Sequence, residues 1–105
     1  MVAFRDIEAF SERLVEAYRP ERIVLFGSHA RHESRSDSDV DLLVTMDYEG
    51  NGRRLAANMI RRLKPEFAVD LIVRRERDLA QRVRQHDFFL TEALRKGQVL
   101  YESAD

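Results

Sequence analysis

Two short apolar runs, Ile23–Phe26 and Val40–Val44, flank a polar segment with Gly27-Ser28 at one end and Asp39-Val40-Asp41 at the other. Each run has the length and β-branched content of a buried strand. Gly-Ser therefore leaves the end of one strand, and the two aspartates stand at the mouth of the next. In a strand, residues i and i+2 point to the same side, with Cα atoms about 7 Å apart. Asp39 and Asp41 then aim together while Val40 and Leu42 face the other way. Two carboxylates with oxygens ~5 Å apart repel by roughly 3 kcal/mol at an effective dielectric of 20. A divalent cation relieves such repulsion, and hard carboxylate oxygens suit Mg²⁺ or Mn²⁺. A solvated acidic loop leading into a strand would present the same Asp-x-Asp.

The rest of the chain supplies alternating helices and strands. Phe4, Ile7, Phe10, Leu14, Val15 and Tyr18 recur at helical spacing, and Arg19-Pro20 ends that helix. A strand over 22–26 follows, then a short helical turn over 29–35 opening at Gly27-Ser28, then a strand over 40–45. Residues 46–52 form a loop with Asn51-Gly52 as its turn signal. Leu55, Ala56, Met59, Ile60 and Leu63 make the apolar stripe of a helix over 53–64, which Pro65 stops. A third strand spans 67–73. Asp78 is an N-cap for a helical region over 79–96 that Asp87-Phe88 divides. Gly97 is its C′ residue, and a final strand covers 98–102. At 105 residues the chain makes a single domain, 1–105.

A third carboxylate lies in the third strand. Asp70 interrupts Ala68-Val-Asp-Leu-Ile-Val73, a run otherwise fit for the interior, so its charge needs a partner. If strands 40–45 and 67–73 are neighbours, Asp70 approaches Asp39 and Asp41; the other reading is a buried ion pair with an arginine. Asp70 could then ligate a metal and accept the proton of an attacking hydroxyl. Two divalent ions ~3.5–4 Å apart form the arrangement used for in-line displacement at phosphorus. Gly27 lets the backbone approach a ligand, and amides at a helix start attract phosphate, with the Ser28 hydroxyl as a further donor. From the residues alone, Arg31 reads as a solvated side chain. His29, His32 and His86 lack metal-triad spacing and read as surface residues. Asp37 reads as a loop residue beside Asp39. Arg74, Arg75, Arg77, Arg82 and Arg84 read as a solvated face, with an acidic partner or nucleic acid as the other reading.

Gly27-Ser28, ten residues, then Asp39-Val-Asp41 resembles the signature of the DNA polymerase β-like nucleotidyltransferase superfamily. Phe26-Gly-Ser-His-Ala-Arg31 and Ser38-Asp-Val-Asp-Leu-Leu-Val44 most resemble its minimal nucleotidyltransferase branch. Asp70 stands where that family keeps a third carboxylate, and Val99-Leu-Tyr-Glu102 resembles its closing strand. The resemblance implies an α/β fold with a mixed sheet of about four strands and helices packed mainly on one side. It also implies two Mg²⁺ ions held by Asp39, Asp41 and Asp70, and a nucleoside triphosphate donor, ATP, against Gly27, Ser28 and Arg31. His32 departs from the pattern, since many relatives have glycine there.

Composition narrows the partners. Charged residues make up 35% of the chain but sum to −1, so nucleic acid is not its principal partner. There is no cysteine, which excludes disulfides and thiolate sites. No apolar run approaches the ~20 residues of a membrane span, and the charged N-terminus is unlike a signal peptide, so a cytoplasmic protein is expected. The catalytic elements are expected to consume all 105 residues, leaving no separate domain to select an acceptor. Minimal relatives are paired with HEPN-domain toxins in toxin–antitoxin modules. The resemblance thus implies an antitoxin, hetero-oligomeric with its partner, that transfers AMP from ATP to a tyrosine of a HEPN toxin. Transfer to a small hydroxylated molecule with a second subunit, and a binding-only antitoxin, are the alternatives.

Overall fold

The computed structural model describes residues 2–33 and 38–104. Chain order is α1 (Phe4–Tyr18), β1 (Arg22–Phe26), α2 (Gly27–Ala30), β2 (Val40–Thr45), α3 (Gly52–Leu63), β3 (Val69–Arg74), α4 (Glu76–Arg84), α5 (Phe88–Lys96) and β4 (Gln98–Glu102). The strands form one mixed sheet ordered β3-β2-β1-β4. β1 runs antiparallel to both β2 and β4, whereas β2 and β3 are parallel and joined through α3. A parallel pair needs such a crossover because a tight turn can only reverse direction.

Side-chain alternation along the strands divides the core between two faces. Ile23, Leu25, Val40, Leu42, Val44, Leu71 and Val73 meet Ile7, Phe10 and Leu14 of α1 and Ala56, Met59 and Leu63 of α3. Val24, Phe26 and Leu43 face the other way, against Leu79 of α4 and Leu90 and Ala93 of α5. The longer helices cover the larger face; the two short ones cover part of the other. Each fully buried aliphatic side chain contributes about 1.5–3 kcal/mol of burial.

Helix ends follow local chemistry. α1 stops where Arg19 turns left-handed (φ 50°) and its amide bonds the Val15 carbonyl at 2.8 Å. Lys64 ends α3 the same way (φ 48°) before Pro65. Asn51 Oδ1 caps the start of α3, accepting from the amides of Arg53 (2.8 Å) and Arg54 (3.1 Å). Arg13 ties α1 to α3 by donating to the Leu63 carbonyl.

Four local expectations are corrected. β3 begins at Val69, not 67, because Phe67 packs its ring edge-on against Phe10, 5.8 Å between centroids. Asp78 is not a cap: α4 starts at Glu76, and Asp78 sits in its first turn, paired with Arg75 at 3.1 Å. Gly97 is the C-cap of α5 in extended conformation, chosen for space. A Cβ there would lie 2.6 Å from Val24 Cγ1 and 2.4 Å from the Ala93 carbonyl oxygen. The helical turn after β1 begins at Gly27 and is over by Arg31, with His32 left-handed at φ 59°. Asp37 lies outside the described residues.

Candidate active site

The carboxylates gather at one end of the sheet, on the face that α4 and α5 partly cover. Phe26, the last residue of β1, pairs with Asp41. Gly27 follows at once, with φ 75°, a conformation L-residues rarely adopt. A Cβ on Gly27 would stand 2.1 Å from Asp41 Oδ2, so only glycine lets this carboxylate lie against the backbone of the turn. Ser28 follows, half-buried, as the second residue of α2.

On its other side β2 pairs with β3, and Asp41 is in register with Asp70. Cα atoms of paired residues on neighbouring strands are about 4.8 Å apart. The expected neighbourhood of the second and third strands is therefore present, and it brings the two carboxylates together. The expectation that Asp70 is interior is corrected. β3 is an edge strand, Asp70 is exposed, and among the described residues no arginine pairs with it. Asp39 is exposed and immediately precedes β2, in line with a strand over 40–45.

The charges of Asp70 and Asp39 both act on Asp41. The Asp41 carboxyl is pushed above the usual aspartate range, first by burial, then by the charge of Asp70 and that of Asp39. His29 and Arg31 pull the other way. Half-burial makes ionisation costly, and two nearby anions add to the cost.

His29 corrects a second expectation, since it is buried rather than on the surface. Its Nε2 lies 3.3 Å from the Ser38 carbonyl oxygen, linking α2 to the residue before Asp39. Asp39 is thus positioned through a histidine whose sequence spacing carried no such signal. His32 and His86 are exposed. Arg31 is half-exposed, 3.2 Å from Glu33, and lines the cavity that contains Asp41 and Asp70.

That cavity, about 350 Å³, is bounded on its far wall by α5, through Phe88, Phe89, Ala93 and Lys96. Lys96 lies 3.2 Å from Glu92, and with Arg95 it holds the Glu92 carboxyl below its ordinary range. Two of the arginines after β3, Arg75 and Arg82, have partners within the chain. Arg75 stacks on Tyr48 at 4.2 Å, donates to the Tyr48 carbonyl at 3.0 Å and pairs with Asp78. Arg82 reaches Asp87 at 3.5 Å.

The donor set suits a hard divalent cation: oxygen ligands only, with anionic charge in excess. Among the described residues no three such side chains already close on one point. Mg²⁺ does not require a preformed protein cage, because it keeps several waters and binds through one or two carboxylates plus substrate phosphates. Asp41 and Asp70 are the pair that fits this description.

No helix among the described residues is long and apolar enough to cross a membrane. No curated protein matches the chain. Among solved structures, a toxin–antitoxin crystallised with AMP-PNP is 23% identical at a TM-score of 0.58, over 92% of this chain and 74% of that one. A candidate nucleotidyltransferase from Sulfolobus solfataricus is 25% identical, also at 0.58, over 73% of this chain and 70% of the other. The toxin–antitoxin MntA-HepT is 22% identical at 0.50, over 91% and 70%. These likenesses concern the fold. The family model for polymerase β nucleotidyltransferases matches residues 8–105, and with Gly27 set against Asp41, itself in register with Asp70, the chain belongs to that family.

Proposed function

We propose that the protein transfers a nucleotidyl group from a nucleoside triphosphate, ATP in the first instance, to a hydroxyl of a partner protein. The observation that carries this reading is the registered pair Asp41 and Asp70 with Gly27 pressed against Asp41. The triphosphate lies along the Gly27-Ser28 turn, with Arg31 within reach of its charge. Asp39, Asp41 and Asp70 would hold divalent cations, which when bound neutralise the phosphate charge. The acceptor oxygen attacks the α-phosphorus, the bond from that phosphorus to the β-bridging oxygen breaks, and pyrophosphate departs. Asp70, exposed at the open edge, takes the acceptor's proton directly or through water. Asp41, half-buried, keeps a fixed position throughout. Most of the rate comes from positioning and charge neutralisation.

The acceptor belongs to another chain. The described elements form one sheet and its helices, with the site open at the sheet's end. Structural neighbours are toxin–antitoxin complexes, one of them with a nucleotide analogue. Together with the resemblance to minimal nucleotidyltransferases, this supports an antitoxin that places AMP on a tyrosine of a HEPN-type toxin.

Incubating the protein with α-³²P-ATP, Mg²⁺ and the product of the adjacent reading frame tests the proposal. Label on a tyrosine of that partner is the expected result. No label with active wild-type protein overturns it. Asp41→Asn separates transfer from protection by binding alone: a transferase loses both label and protection, whereas a binding antitoxin keeps protection.

A further inference from the structure

The aromatic wall of the cavity has no role in the scheme above. Phe88 and Phe89 are adjacent at the start of α5 and are 77% and 57% exposed. Exposed apolar side chains are unremarkable when scattered, but these two line the same 350 Å³ cavity as Asp41 and Asp70. The backbone that carries them is fixed at the start of α5. Gln85 ends α4, His86 turns left-handed (φ 63°), and Asp87 caps α5 by accepting the Leu90 amide at 3.0 Å. Arg82 pairs with the same carboxylate. The Phe89 ring meets Phe26 edge-on, 5.7 Å between centroids at 88°. Phe26 is the residue before Gly27 and the register partner of Asp41. One strand end therefore fixes both the carboxylate and the aromatic wall.

We infer that Phe88, backed by Phe89, is the platform on which the donor's nucleobase stacks. This rests on the reading of the cavity as a nucleoside triphosphate site. A nucleotide is polar at its phosphates and flat and aromatic at its base, and the cavity has the same division. Its carboxylate end, with Gly27 and Arg31, faces the phosphates; its α5 end offers phenyl rings and Ala93, beside Glu92 whose charge is paired with Lys96. Lys96 stands on the same wall, within reach of the ribose–phosphate side. A volume of this order falls in the range of small-ligand pockets. Stacking uses the π-face that every base has, so this wall binds bases without reading their edges.

Equilibrium binding of Mg²⁺·AMP-PNP and of Mg²⁺·tripolyphosphate to wild type, Phe88→Ala and Phe88→Trp tests the inference. Because Phe88 is mostly exposed, its replacement should leave the thermal midpoint within a degree or so of wild type. Phe88→Ala is expected to weaken AMP-PNP about tenfold, within what base stacking supplies, and to leave tripolyphosphate within twofold. Phe88→Trp should restore AMP-PNP affinity. Unchanged AMP-PNP binding in Phe88→Ala overturns the inference, as does an equal loss for both ligands. Intact nucleotide binding with reduced labelling of the partner would make Phe88 a protein-docking residue and also overturns it. If wild type binds neither ligand, the nucleoside triphosphate reading itself falls, a result distinct from the others.

Discussion

Asp41 and Asp70 are register partners on the parallel strands β2 and β3, so two carboxylates leave neighbouring strands at the same level of the sheet. Burial and the charges of Asp70 and Asp39 raise the Asp41 pKa. A carboxyl whose folded pKa lies above its unfolded one costs stability when ionised. That cost is absent below the unfolded pKa, grows between the two values, and is complete above the folded one. Asp41→Asn should therefore stabilise the metal-free fold at neutral pH by about 1 kcal/mol, the size of a half-screened like-charge contact. The gain should disappear as pH falls below the ordinary aspartate range. Urea denaturation of both proteins across pH 3–8, starting about one unit below the ordinary aspartate value, checks the sign.

On the proposed function, Mg²⁺ held by these carboxylates would offset that repulsion. With the ion at ten times its dissociation constant, the wild-type fold gains about 1.4 kcal/mol. Thermal midpoints with MgCl₂ and with EDTA should differ for wild type and converge for Asp41→Asn. An equal rise in both would place the ion elsewhere.

Gly27→Ala puts a methyl group where Asp41 Oδ2 now lies and forces a side chain onto φ 75°. The left-handed backbone costs about 1–2 kcal/mol, and the carboxylate must move. A lower denaturation midpoint together with at least a tenfold loss of transfer is expected. Loss of stability alone, with full transfer, would show that Asp41 has room to adjust.

His32→Gly should act in the opposite direction. His32 holds φ 59° while exposed, and glycine occupies that region without steric penalty. Offset by the greater freedom of glycine in the unfolded chain, the net gain should be about 0.5 kcal/mol. Urea denaturation would reveal it, with transfer little changed, since His32 does not line the cavity.

Asn51→Ala removes the acceptor for two amides at the start of α3. A loss of about 1 kcal/mol is expected, and Asn51→Asp should recover most of it. The same urea titration measures both.

Legibility in the sequence varied with the range of the interactions involved. The α1 and β1 boundaries were plain, because apolar spacing and Arg19-Pro20 act over a few residues. The end of α2 and the start of β3 were less so. His32 adopts a conformation that its residue type disfavours, and Phe67 is withdrawn from the strand by a ring in α1 that is distant in sequence. Asp70 stood out in the sequence as a carboxylate within an apolar run but was misread as interior. An apolar run implies burial only if strands lie on both sides, and β3 has one neighbour.

By itself, the sequence determined the alternation of helices and strands and the pairing of a Gly-Ser turn with Asp39 and Asp41. Those features depend on local backbone preference and on spacing along a strand. Only the tertiary structure decided that β3 lies parallel to β2 with Asp70 level with Asp41, and that His29 turns inward to hold the Ser38 carbonyl. It alone decided that α5 carries Phe88 and Phe89 to the carboxylates. Strand order and helix docking are set by the summed burial of both sheet faces, a quantity that no single segment of the chain encodes.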